Sequence, residues 1–64
     1  MSNLDHILTH IEADAPCSMF HVAVWADEQL TINAVGFMSV INTLVSSGVI
    51  SISADEHGLV IDLI

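Results

Sequence analysis

Leu4, Ile7, Leu8 and Ile11 fall at the i, i+3, i+4, i+7 spacing of an amphipathic helix over residues 3–12. Ser2 or Asn3 is placed to cap that helix, Asp5 in its first turn suits the helix dipole, and Pro16 ends it by way of Ala13 to Ala15. From 18 to 26 the pattern changes to alternation, with Phe20, Val22 and Val24 on one side and Met19, His21, Ala23 and Trp25 on the other. This predicts a strand, covered at least in part on both sides because both faces are largely apolar. Asp27-Glu28-Gln29 breaks the run. A second helix is expected over 31–47, capped by Thr31, with Val35, Met38, Ile41, Leu44 and Val45 on one side and Gly48 just past its end, although Gly36 and the β-branched residues work against it. Residues 49–53 and 59–64 then predict two strands around the five-residue loop Ala54-Asp55-Glu56-His57-Gly58. The expected fold class is α+β in the order α-β-α-β-β, two helices packed on a small antiparallel three-stranded sheet. Its 64 residues form a single domain, 1–64, with no internal repeat or linker.

A competing reading starts from residues 29–54, 26 positions without a charge and long enough to span a bilayer. Ten of those positions are Gln, Asn, Ser or Thr, and no basic residue is present to set an orientation. Gly48 and the alternating residues after it fit a helix end and a strand better, so no membrane span is expected.

Charge changes the picture most. The chain carries eight acids, four histidines and no lysine or arginine, for a formal net charge of −8. A soluble chain of this length ordinarily carries roughly eight Lys or Arg. Their absence argues against direct nucleic-acid binding, against a polybasic membrane anchor and against a lysine-dependent phosphate loop. Met1-Ser2-Asn3 lacks the positive n-region of a secretory signal, and an intracellular protein is expected. Disorder is not expected, because 53% of residues are apolar and the mean hydropathy is +0.73. The composition describes a compact core wearing an anionic shell. Self-repulsion in so small a shell narrows the stability margin, so a partner or a second copy is expected to add to it; the expected state is monomer or homodimer.

Several side chains invite chemistry. His6 and His10 project from one helix face, and with Glu12, Cys17, His21 or His57 they offer borderline metal ligands. No close-spaced ligand motif supports a metal, and no cofactor or metal is expected. Two exposed histidines on a solvated face account for the pair. Cys17 is alone, so neither an internal disulfide nor a zinc framework is encoded, and the anionic surroundings oppose a nucleophilic thiolate. Ser39, Ser46 and Ser47 lack a nucleophile-elbow context. Phe20, Trp25 and Phe37 fit a core, with Trp25 also placed to anchor a partner beside Asp27 and Glu28. The chain is not expected to be an enzyme.

The acids themselves are the candidate contacts. Asp5 and Glu12, two helical turns apart, share one face; Asp14 follows at the helix end; Asp27-Glu28 follows the first strand; Asp55-Glu56 crowns the hairpin. Asp62, inside the last strand, is less favoured. Solubility alone does not require removing every cation, since mixed-charge surfaces achieve it without self-repulsion. A cationic groove that ordinarily holds nucleic acid is the target such a surface suits, its arginines meeting carboxylates in place of phosphates. Binding driven this way weakens with salt. Protonating the four histidines, below the usual value of about 6.5, would also cut the charge to about −4.

In size and whole-chain composition the sequence resembles the acidic DNA-mimic inhibitors of bacteriophages and mobile elements, and among them small anti-CRISPR proteins. The resemblance implies a non-enzymatic inhibitor occupying the protospacer-adjacent-motif or target-DNA site of a CRISPR effector complex, a basic nucleic-acid-binding partner. Inhibitors of restriction enzymes, uracil-DNA glycosylase or RNA polymerase have similar compositions, and a generic acidic protein-interaction subunit is the alternative. The element order resembles a shortened winged helix, but a winged helix that binds DNA is basic.

Overall fold

The structure, a computed structural model, describes residues 2–64. In chain order the elements are α1 (Asn3–Asp14), β1 (Cys17–Ser18), α2 (Met19–Leu30), α3 (Ala34–Ser46), β2 (Ile50–Asp55) and β3 (Gly58–Leu63). The fold class is α+β, and the sheet is three-stranded and antiparallel in the order β1-β3-β2. Helix α1 follows its hydrophobic stripe: Ile7 and Ile11 are fully buried, with Leu4 and Leu8 packed beside them. Ser2 caps it in a reciprocal box, its Oγ accepting from the Asp5 backbone N–H at 3.2 Å while the Asp5 carboxylate accepts from the Ser2 N–H at 3.4 Å.

The segment expected as the first strand is a helix. Only Cys17 and Ser18 pair with β3, opposite Ile61 and Val60, and from Met19 the chain coils into α2. Alternation gave way to a helical stripe: Met19, Val22 and Ala26, at i, i+3 and i+7, enter the core. Phe20, expected in the core, is instead 71% exposed. The Asp27-Glu28-Gln29 run does not break the element. It forms part of the last turn of α2, which ends at Thr31 in the left-handed conformation at φ 55°. Thr31 therefore closes one helix rather than opening the next.

Asn33 opens α3, its Oδ1 accepting from the Gly36 N–H at 2.8 Å. The later start and the sharp turn rotate the buried face to Phe37, Ile41 and Leu44. Val35 and Met38, expected to face inward, are 80% and 41% exposed, and Val45 is also exposed. Gly48, at φ 74°, ends this helix as expected.

The hairpin pairs from Ile50↔Leu63 to Asp55↔Gly58. Both strands reach further toward the tip than expected, taking Ala54, Asp55 and Gly58 from the loop and leaving only Glu56-His57 as the turn, stabilised by the His57 N–H donating to Asp55 Oδ1 at 2.7 Å. Ile50 and Ile61 bring the sheet into the same core as the helices. No described helix is long and apolar enough to cross a membrane, and the chain turns by 119° between α2 and α3. Two helices at about this angle, joined by a three- or four-residue turn, constitute a helix-turn-helix. The β2–β3 hairpin, called the wing below, closes the element order α-β-α-α-β-β, one helix more than expected.

Candidate functional site

All eight acids are exposed, so the anionic shell is a property of the folded surface. They differ in what the fold asks of them. Asp5 serves the α1 capping box, Asp55 anchors the hairpin turn, and Asp62 Oδ1 accepts from the Leu63 N–H at 2.8 Å. Glu56 lies 3.5 Å from His57 at the tip of the wing, where both side chains are solvated. Glu12, Asp14, Asp27 and Glu28 have no intramolecular hydrogen bond among the described residues.

Those four occupy a costly place. Glu12 and Asp14 lie in the last turn of α1, and Asp27 and Glu28 in the last turn of α2. A helix C-terminus presents unpaired carbonyls and carries partial negative charge, so a carboxylate there is destabilising by about 0.3–1 kcal/mol. Neither last turn contains a basic residue. Half of the acids therefore stand where helix electrostatics oppose them.

Asp14 and Asp62 converge on Cys17. Its half-buried thiol is pushed above the ordinary value, first by loss of solvent and then by these two carboxylates. The protein thereby keeps this sulfur in its poorly nucleophilic form. His10, expected on a solvated face, lies flat against Trp25 with ring centroids 4.0 Å apart and 10° between planes, tying α1 to α2. Among the described residues, no three His, Cys, Asp or Glu side chains are grouped to hold a metal ion.

A feature not anticipated from sequence is an open apolar trough between α2 and α3. Two adjoining hollows, about 270 and 310 Å³, share walls formed by Phe20, Ala23, Ala34 and Phe37. One end is closed by Met38 and Leu59 and the other by Val24, Asp27 and Asn33. Phe20, Val24 and Asp27 succeed one another at i, i+4 and i+7 along α2, a signal that the alternation over 18–26 hides. Helix α3, the element a helix-turn-helix ordinarily lays in the DNA groove, has no charged residue along its length. No family model matches the sequence, and neither a curated protein nor a solved structure is found that resembles it.

Proposed function

We propose that this chain is a non-enzymatic inhibitor that occupies a cationic nucleic-acid site on another protein, with a CRISPR effector complex as the first target to test. The observation that carries the reading is the placement of Glu12, Asp14, Asp27 and Glu28 at two helix C-termini without a compensating cation anywhere in the chain. A surface selected only for stability would place acids at helix N-termini and bases at C-termini. Local conflict of this kind is the mark of a functional constraint. A cationic partner removes the conflict, because each carboxylate gains the counter-charge that its own chain lacks.

The mechanism is competition. Arginine and lysine side chains that would hold phosphates are engaged by carboxylates, and the folded body, 28 × 23 × 21 Å, obstructs the duplex path. Glu12 and Asp14 of α1, Asp27 and Glu28 of α2 and Glu56 at the hairpin tip are the leading contacts. Asp5 and Asp55 contribute less, since their carboxylates are engaged with Ser2 and with the His57 backbone.

The test is a titration. Tagged protein captures its target from bacterial lysate, a salt step elutes it, and mass spectrometry names it. The purified target is then titrated with labelled duplex DNA at several concentrations of the protein. An apparent Kd for DNA that rises in proportion to protein, and recovers with salt, supports the reading; DNA binding that is indifferent to the protein refutes it.

A further inference from the structure

We infer that the trough between α2 and α3 is a docking site for a short segment of the partner protein that presents two apolar side chains followed by a lysine or arginine. The inference rests on the proposal of a cationic partner and specifies how such a partner is gripped. Among the described residues, five of the eight exposed large hydrophobics border this trough or stand beside it on α3: Phe20, Val24, Val35, Met38 and Leu59. Concentration of apolar surface in one place marks an interaction site rather than the scattered exposure of an ordinary surface.

The trough has polarity along its length. Its Leu59 end is apolar, its opposite end carries Asp27, and Phe20 to Asp27 spans seven residues of α2. At the helical rise these two positions are about 10 Å apart. An occupant that fills both hollows and satisfies Asp27 therefore places its cation about two helical turns beyond its first apolar anchor, the helix-in-groove mode of recognition. A second copy of this chain is a poor occupant. It has no Lys or Arg to offer Asp27, and pairing would bring two bodies of charge −8 together.

The probe is a synthetic, end-capped, alanine-based helical peptide with leucines at positions i and i+4 and lysine at i+8, alongside a control with glutamate in place of the lysine. Binding to the full chain is followed by 15N–1H NMR. Expected are shifts concentrated at Phe20, Ala23 and Phe37, with the glutamate peptide markedly weaker. Phe20→Ser, at a solvent-exposed position, should weaken the lysine peptide at least tenfold, the scale of losing an aromatic anchor. Asp27→Asn should weaken the lysine peptide about two- to fivefold, as expected for an exposed ion pair, and should narrow the difference between the two peptides. Equal affinity for both peptides, shifts confined to other surfaces, no binding at millimolar peptide, or concentration-dependent dimerisation through the trough in sedimentation would each overturn the inference. These readouts need no host complex. Failure of the peptide with DNA competition intact removes the trough alone, and the converse removes the inhibitor reading alone.

Discussion

Salt should stabilise this protein, and by an amount its dimensions set. A body with a Cα radius of gyration of 10.7 Å behaves electrostatically as a sphere of about 14 Å radius. Spreading the formal charge of −8 over it gives a self-repulsion of about 6.5 kcal/mol at 0.01 M salt and about 1.7 kcal/mol at 1 M, as the Debye length falls from about 30 to 3 Å. The unfolded chain, with a radius of gyration near 24 Å, retains about 2 kcal/mol of repulsion at the lower salt and well under 1 at the higher. The difference favours the folded state by roughly 2–3 kcal/mol on moving from 0.01 to 1 M sodium chloride.

The assay is urea unfolding followed by far-UV circular dichroism, since guanidinium would itself screen the charge. At a slope of about 1 kcal/mol per molar urea, the midpoint should rise by about 2 M or more. A control separates screening from other actions of salt. Self-repulsion scales with the square of the charge, so neutralising Asp27, Glu28, Asp55 and Glu56 together should cut the salt gain to about a quarter. An unmoved midpoint, or an undiminished gain in the neutralised variant, would refute a shell of mutually repelling carboxylates.

Asp27→Asn combined with Glu28→Gln should raise stability by about 1 kcal/mol in the same urea assay, by relieving the α2 C-terminus, while weakening DNA competition. A loss of stability would show that these carboxylates serve the fold. Cys17 should react more slowly with iodoacetamide at pH 8 in the native chain than in the urea-unfolded one, because burial holds the thiol protonated. A raised folded-state value means that the native thiol keeps its proton when the unfolded one has lost it. The contribution to stability is therefore full below the ordinary thiol value and declines as pH rises through the folded-state value; native alkylation as fast as unfolded would contradict this. Ile61→Val, at a fully buried position of the central strand, should cost about 1 kcal/mol in thermal or urea unfolding, and no change would show that the sheet is not part of the core.

What was legible in the sequence follows from which patterns had one interpretation. The stripe of α1 and the hairpin each had one, and both formed, with the strands extending into the expected loop. The α2 segment had two. Met19, Val22 and Ala26 make a helical stripe, yet Phe20, Val22 and Val24 alternate equally well, and an apolar run around all sides hides its period. Adopting the strand placed Phe20 inside and dissolved the trough, which exists only when Phe20, Val24 and Asp27 align along a helix. Helix α3 was legible in its existence and its end but not in its facing, because its start depended on where α2 stopped. The acids were placed at the surface by chemistry alone. Their position at helix C-termini became visible only for α2 once its helical extent to Leu30 was known.

The stacked pair His10 and Trp25 equips the protein with an optical reporter. Trp25 is the chain's one indole, and its emission depends on the ring stacked against it. The emission thus registers the seating of α1 against α2. Departure of α1 should change the indole emission before the hairpin opens. Trp25 projects from α2 well away from the Phe20–Asp27 stripe, so a change in emission on binding would signal motion passed to α1, with the bound surface itself optically silent.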